Sequence, residues 1–399
     1  MNKSIQLGMA TFIAGAGVAM GQTTQEQIDA LEEQILKLQQ QVENGGAQPN
    51  FLNQAAAQGL QFNFYGQITW KSGGGSTKAD AYRYVLIPTY KLSDYAKFVS
   101  EFELEHGGLK NNNTSTTTKE DRFSGALELE QMYIDVNINE YVNWRSLGVS
   151  LIPIGEINQY HEPDQFYSSF RPQLYKSIIP TTWMEMGTGF NGDTPVDGLK
   201  YEYYMSQGLN SDTGNGGKDA DSWTFKGARP DLNNKDIHSY AHTLKLSYQT
   251  GGAYVSASRY MTTHHNPTDE QSDVALTSLY GSYRFENGLE LIAEKAWWDI
   301  DNPENLTDAG VSDISNDEFG GYRLEVAYHI PHGDNTITPF LRYEELDSGV
   351  NNSADTEYVT FGAMYKFGDN WEIKANVEMK ETATGTETDS IHLSVGMQF

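Results

Sequence analysis

The sequence predicts an all-β protein: a 16-stranded antiparallel transmembrane β-barrel preceded by a short N-terminal α-helical coiled-coil stalk. From residue 60 to the last residue, apolar and polar side chains alternate with a period of two, as in strands that bury one face. The connections between these predicted strands alternate between short and long. This rhythm is typical of barrels whose short turns and long loops lie on opposite sides of a membrane.

The composition disfavours several other classes of protein. The 399 residues include 54 acidic and 27 basic residues, a net charge of −27, with 38% hydrophobic residues and no cysteine. A nucleic-acid-binding surface would be basic, a disulfide scaffold needs cysteines, and a helical membrane protein needs apolar runs of about 20 residues. A barrel with water inside needs only half-apolar strands, so we expect no dry core.

Residues 1–21 have the pattern of a secretory signal peptide. Lys3 precedes a short apolar stretch, and the small residues Ala19 and Gly21 fit a cleavage site before Gln22. The protein is therefore expected to be exported.

Residues 22–46 are predicted to form a periplasmic coiled-coil stalk. Its apolar residues are spaced by three and four, as at the seam of a coiled coil: Ile28, Leu31, Ile35, Leu38 and Val42. Because two heptads are too short to associate alone, the stalk favours an oligomer. The alternative is one amphipathic helix packed on its own domain. Residues 47–59 are expected to be a linker.

Residues 60–399 are predicted to form the barrel. The sixteen predicted strands are 60–71, 81–92, 95–107, 124–138, 144–154, 183–192, 196–207, 237–249, 252–263, 273–286, 288–300, 318–331, 334–346, 355–367, 369–381 and 388–399. The first long connection is then 72–80, and the third is 155–182. Arg259 and Lys295 fall among apolar neighbours, so we expect either a β-bulge in their strands or an error in the strand faces as assigned from the sequence.

The segments around the third long connection resemble porins related to the phosphate-selective porin family. The similar segments are Glu130–Asp135, Ile154–Asn158, His161–Tyr167 and Ile178–Gly187, and the chain ends on an aromatic residue, Phe399, as bacterial outer-membrane barrels do. The resemblance implies a trimeric barrel of a Gram-negative outer membrane. It also implies that the third long loop, 155–182, folds inward and narrows the pore.

Charged residues of this loop and of the barrel wall are the candidate pore residues. The loop carries Glu156, His161, Glu162, Asp164, Arg171 and Lys176. They would either line a constriction or pair with the wall to fasten the loop. Strand parity points these wall residues into the lumen: Lys245, Arg284, Arg323, Glu325, Arg342, Glu344, Lys366, Lys374 and Lys380. Mixed signs on an acidic background predict weak cation preference rather than phosphate selectivity.

No enzymatic activity, cofactor or metal site is expected. The sequence has no GxSxG, HExxH or phosphate-binding loop motif. Ser390, His392 and Ser394 share one face of the last strand, but that face is the polar one and no third orienting residue is apparent.

The predicted function is passive diffusion of small hydrophilic solutes, including ions, through a water-filled homotrimeric channel of the outer membrane, with both chain ends periplasmic. The expected partners are the other protomers, outer-membrane lipid, lipopolysaccharide and the solutes, with peptidoglycan as a further partner of the stalk. Two alternatives remain open. One is a channel selective for phosphate or other small anions, and the other is a structural or adhesive protein linked to the cell wall.

Overall fold

A computed structural model describes residues 59–108, 125–209, 225, 228–230, 232, 236–265, 270–306, 317–347 and 355–399. The predicted signal peptide, the stalk and residues 47–58 of the linker lie outside this range. The strands are β1 Leu60–Gly73, β2 Ser76–Lys91, β3 Ala96–Glu105, β4 Leu127–Asn139, β5 Val142–Leu151, β6 Met184–Asp193, β7 Leu199–Gln207, β8 Tyr240–Thr250, β9 Ala253–His265, β10 Gln271–Arg284, β11 Leu289–Ile300, β12 Glu318–Tyr328, β13 Ile330–His332, β14 Asn335–Asp347, β15 Thr356–Phe367, β16 Trp371–Thr382 and β17 Glu387–Gln398.

These strands form one closed antiparallel sheet. Strands β12 and β13 both pair with β14 and are separated only by His329, so they count as one strand of a sixteen-stranded barrel. The barrel closes where β1 pairs with β17, for example at Ile68 and Val395. Closure leaves no sheet edge with unpaired backbone groups, which a membrane-spanning sheet requires. The predicted sixteen-stranded barrel is therefore confirmed.

The prediction that residues 72–80 form the first long connection is wrong. Strands β1 and β2 continue through this region and are joined by a two-residue turn at Gly74 and Gly75. Both glycines have positive φ, 58° and 80°, as the tightest hairpin turns require. The extension is polar on both faces, with Ser72 and Thr77 on one face and Lys71 and Lys78 on the other, so it carries no alternation that would mark it as a strand.

The two faces of the later strands are as predicted. In β12, Leu324 and Val326 point outward and are exposed, whereas Arg323 and Glu325 point inward and are buried. The same alternation holds in β16 and β17. Because the exposed outward residues are largely apolar, they form a belt around the barrel of the kind that a bilayer covers.

The β-bulge expected at Arg259 and Lys295 is absent, because the pairing of β9, β10 and β11 is regular there. Both side chains simply face outward. Arg259 donates hydrogen bonds to Thr277 Oγ1 at 2.6 Å and Asp299 Oδ2 at 3.2 Å. Lys295 lies 5.2 Å from the centre of the Trp297 ring. Polar and aromatic neighbours therefore accommodate these charges without shifting the strand register.

The expectation of an interior without a dry core is also wrong. A cluster of buried apolar side chains occupies part of the barrel interior. Trp183 packs on Tyr260 with ring centres 4.5 Å apart, and Trp298 stacks on Phe225 at 3.7 Å. Five isoleucines of residues 152–179 also belong to the cluster: Ile152, Ile154, Ile157, Ile178 and Ile179. Because exposure of these apolar side chains to the water of the lumen is unfavourable, they pack against apolar side chains of the barrel wall.

Helical structure is confined to three short segments of the described chain. They are two 3₁₀ turns, Pro163–Gln165 and Pro303–Leu306, and one helical turn, α1, at Leu174–Ser177. None of the helices in the described residues has the length and apolar character to cross a membrane.

A charge placed on the outward face tests the assignment of the two faces. Leu393 points outward near the middle of β17, and Ile330 points outward close to the His332 turn. We expect Leu393→Arg to lower the free energy of unfolding in lipid vesicles by about 2–4 kcal/mol, and Ile330→Arg by about 0–1 kcal/mol. Equal effects in a urea titration would contradict the placement of the apolar belt.

Candidate functional site

The connection between β5 and β6, residues 152–183, lies inside the barrel. We call it the inner loop. Its atoms form hydrogen bonds with inward-facing side chains of strands around the circumference, including Lys245 on β8, Glu294 on β11, Glu344 on β14 and Lys374 on β16. The site is therefore the surface between the inner loop and the wall.

Glu156 holds the first part of the inner loop against β8 and β9. Its carboxylate accepts hydrogen bonds from Lys245 Nζ at 3.1 Å, from Tyr254 Oη at 3.0 Å and from Ser256 Oγ. Lys245 Nζ also donates to Gln159 Oε1 at 2.9 Å. The Glu156 carboxylate and the Lys245 ammonium are both almost fully buried, so each compensates the charge of the other.

Lys374 holds the middle of the inner loop. Its ammonium group is buried and donates hydrogen bonds to the backbone carbonyls of Pro163, Phe166 and Ser168. It also lies 4.3 Å from the centre of the Phe166 ring. One wall cation thus replaces the water that three loop carbonyls would otherwise bind.

Asp164 forms a second contact with the same side of the wall. Lys366 Nζ lies 2.9 Å from its Oδ2, and Gln398 Nε2 donates to that oxygen at 2.8 Å. Burial alone would raise the pKa of Asp164, but the hydrogen bonds from Lys366 and Gln398 outweigh burial and lower it. The carboxylate is therefore charged at neutral pH.

Four wall residues of β12 and β14, with Glu294 on β11, form a buried network of alternating charge. Arg323 Nε donates to Glu294 Oε2 at 2.8 Å, and Arg342 Nε donates to Glu344 Oε2 at 2.9 Å. Glu325 lies 3.8 Å from Arg323 and 3.3 Å from Arg342. The network leaves acceptors for the inner loop, whose Leu174 N–H donates to Glu344 Oε1 at 2.9 Å.

His161 lies in the inner loop beside β2 and β4. Its backbone carbonyl accepts a hydrogen bond from Arg83 Nη2 at 2.8 Å, and its Nε2 lies 3.6 Å from Glu130 Oε2. Burial and the nearby Arg171 guanidinium lower the pKa of His161 to about 4. The imidazole is therefore neutral at pH 7.

The remaining predicted pore residues are more open to water. Lys176 and Arg284 are exposed, and Glu162, Arg171 and Lys380 are partly buried. Arg171 Nη1 donates to Thr182 Oγ1 at 2.7 Å within the inner loop. The Arg171 guanidinium nevertheless also lies near the buried His161 and Glu130.

Several polar residues that contact the inner loop were missed by the sequence analysis: Arg83, Glu101, Glu130 and Glu294. Glu130 is the extra residue where the β3–β4 pairing shifts register, so strand parity could not place it. Glu294 follows the ordinary alternation of β11 and could have been found from parity.

A polar cavity of about 380 Å³ lies between β4, β5, β6, β7 and the inner loop. Arg145 lies 4.5 Å from the centre of the Tyr133 ring on its wall, and Gln159 Nε2 donates to Glu202 Oε2 at 2.8 Å. Donors and acceptors therefore line the open space next to the loop.

Ser390, His392 and Asn376 meet on the inward face of β16 and β17. Ser390 Oγ lies 2.8 Å from His392 Nε2, and Asn376 Nδ2 lies 3.3 Å from His392 Nδ1. The Asn376 carbonyl accepts from the Ser169 N–H, so its NH₂ group faces the imidazole. Nδ1 must then be the acceptor and Nε2 carries the proton, which is the wrong tautomer to activate the serine.

The fold is that of outer-membrane porins and channels. The in-vitro folded trimer form of the Vibrio cholerae outer membrane protein OmpT superimposes with a TM-score of 0.54 at 12% identity, over 85% of this chain and 99% of that chain. An anion-selective porin from Comamonas acidovorans gives 0.53 at 10% identity, over 85% and 99%. The outer membrane channel DcaP of Acinetobacter baumannii gives 0.52 at 13% identity, over 86% and 98%.

Sequence similarity to a known protein adds no statement of function. The chain is 25% identical over 350 residues to an uncharacterized protein of Aquifex aeolicus (strain VF5), covering 77% of this chain and 72% of that protein. No family model matches. The resemblance to the phosphate-selective porin family therefore stays a prediction.

The pKa of His161 predicts how stability depends on pH. Because its folded pKa of about 4 lies below the ordinary value of about 6.5, the unfolded chain binds more protons between these values. Stability from neutral His161 is complete above pH 6.5 and is lost as the pH falls toward 4, by up to about 3 kcal/mol. We expect His161→Gln to flatten the loss of thermal stability across this window.

The matched control is His242→Gln, because His242 is exposed on the outward face and bonds to Tyr203. This variant should follow the wild-type pH profile. A His161→Gln profile as steep as the wild type would contradict the buried neutral imidazole.

Proposed function

We propose that the chain is a porin of the Gram-negative outer membrane that lets small hydrophilic solutes diffuse passively. The observation that carries this proposal is a closed sixteen-stranded barrel with an apolar outer belt, a polar inner wall and a loop within the lumen. Such a barrel gives solutes a water-filled path, and the inner loop limits their size.

The inner loop has two kinds of charged residue in this mechanism. Glu156 and Asp164 fasten the loop through their carboxylates, which bond to wall side chains, and His161 does so through its backbone carbonyl, which accepts a hydrogen bond from Arg83. Glu162 and Lys176 remain to line the constriction, since they are at least partly exposed, whereas the Arg171 guanidinium faces the buried groups near His161. Size selection then depends on the fasteners, and charge selection depends on the lining residues.

Weak cation preference follows from the pairing of the wall cations. Lys245, Arg323, Arg342 and Lys366 bond to carboxylates, and Lys374 bonds to loop carbonyls, so none of them is free to bind an anion. The net charge of −27 adds a field that attracts cations. A channel for phosphate or another small anion would have to rely on exposed cations such as Arg284 and Lys176.

The assembly that we propose is a homotrimer, with the stalk of residues 22–46 in the periplasm and both chain ends on that side. The trimer form of the structurally similar OmpT and the heptad spacing of the stalk support it. The outer belt would contact lipid and lipopolysaccharide, and the stalk would reach toward peptidoglycan. A structural link to the cell wall is the alternative if the barrel does not conduct.

Single-channel recording in planar bilayers tests this function. We expect ohmic conductance in groups of three equal steps and a reversal potential in a salt gradient that indicates weak cation preference. We expect Lys176→Glu to strengthen the cation preference, because an exposed lining charge changes sign. Lys91→Glu serves as the control, since Lys91 is an exposed residue at the end of β2 that pairs with Asp94.

Absence of conductance from folded protein would contradict the porin proposal. Anion preference above about tenfold would overturn the proposed selectivity and favour the phosphate or small-anion channel.

A further inference from the structure

A buried cluster of ligand-type side chains lies where β3 and β4 face the inner loop. Glu101, Glu130 and His161 each offer one atom, and these atoms all lie within 4.8 Å of one another. Each residue is at most 3% exposed. The cluster belongs neither to the apolar core nor to the paired charges that hold the loop elsewhere.

The hydrogen bond of His161 Nδ1 fixes which nitrogen faces the cluster. Nδ1 lies 3.1 Å from the Asn158 carbonyl oxygen, which can only accept, so Nδ1 carries the proton. In the neutral ring, Nε2 is then a lone-pair acceptor. A backbone carbonyl in this position is the usual partner of a metal-bound histidine, because it orients the ring.

Unpartnered acceptors point into the cluster. His161 Nε2 has no hydrogen-bond partner, and neither carboxylate oxygen of Glu130 has one. Yet Nε2 and Glu130 Oε2 face each other at 3.6 Å. Two buried acceptors in this arrangement repel and lack the hydrogen bonds that they would make in water. A positive species between them would remove both costs.

The spacing fits two ligands of one ion. Two ligands that each lie about 2.1 Å from a zinc ion at a tetrahedral angle are about 3.4 Å apart. The observed separation of 3.6 Å is close to this value. Glu101 is held in place by a hydrogen bond from Tyr65 Oη at 3.2 Å and by another from Gln131 Nε2. The third ligand is thus oriented before any ion binds.

The local charge balance leaves room for a cation. Three carboxylates, those of Glu101, Glu103 and Glu130, face two guanidinium groups, those of Arg83 and Arg171. Arg83 is directed elsewhere, because its Nη2 donates to the His161 carbonyl and its guanidinium lies 5.0 Å from the Tyr65 ring centre. If all three carboxylates are ionised, one negative charge remains for a proton or a cation to compensate.

We propose that Glu101, Glu130 and His161 bind a divalent transition-metal ion that fastens the inner loop to the β3–β4 wall. One imidazole and two carboxylates are a ligand set that suits zinc, and zinc is the probe for the test. No metal-binding spacing marks the site in the sequence, because its ligands lie about thirty residues apart on three elements.

The competing arrangement is a proton shared between Glu103 and Glu130, whose carboxyl groups lie side by side. It would neutralise one charge without any metal. It would also leave His161 Nε2 without a partner. Direct measurement of bound metal therefore separates the two arrangements.

The test is metal content and zinc affinity of the full chain, refolded in detergent with Zn²⁺ or with EDTA and then dialysed. We expect one zinc per chain after refolding with Zn²⁺. Glu130→Gln and His161→Ala should each lower zinc affinity at least about tenfold. His392→Ala is the matched control, because it removes a buried histidine elsewhere in the lumen and should keep the zinc.

Heat-modifiability on gels shows whether each variant folds. The zinc content of the wild-type protein tests the proposal independently of the variants. Substoichiometric zinc in folded wild-type protein would overturn the proposal and favour the shared proton. Equal zinc loss in His392→Ala would overturn it too, because binding would then not depend on this cluster. Conductance of metal-free protein tests the porin proposal separately.

Discussion

Charged side chains on the inward face of this barrel must find partners wherever the inner loop covers them. Water would solvate these charges in an open lumen, but Lys245, Arg342 and Lys374 are buried by the loop. A buried charge without a partner costs several kcal/mol, so the loop and the wall have to match in charge and position. Glu156 opposite Lys245, and the loop carbonyls opposite Lys374, meet this requirement.

The inner loop also has an apolar part, which is held by packing against apolar wall residues rather than by hydrogen bonds. Its isoleucines and Trp183 cover Tyr260 and Trp298 of the wall, so part of the lumen is dry. The apolar contact fixes where the loop lies, and the polar contacts fix its register against individual strands. Together they place the more exposed charges, such as Lys176, where a solute would pass in the proposed channel.

The barrel could be predicted from the sequence because strand parity is a local property. Sixteen strands and the faces of β12, β16 and β17 followed from alternation alone. The extension of β1 and β2 was not predicted, because both of its faces are polar. The dry cluster, the Ser390–His392–Asn376 contact and the surroundings of Glu130 depend on contacts between residues far apart in the chain. No spacing in one sequence encodes such contacts.

Buried pairs hold the inner loop inside the barrel, and amide hydrogen exchange tests their role most directly. The Ser169 N–H donates to Asn376 Oδ1 and the Leu174 N–H to Glu344 Oε1, each at 2.9 Å. We expect these amides to exchange as slowly as those of the neighbouring strands, and Lys374→Met to accelerate them without affecting β9 or β10. Exchange of residues 155–182 as fast as that of an exposed loop would contradict the account.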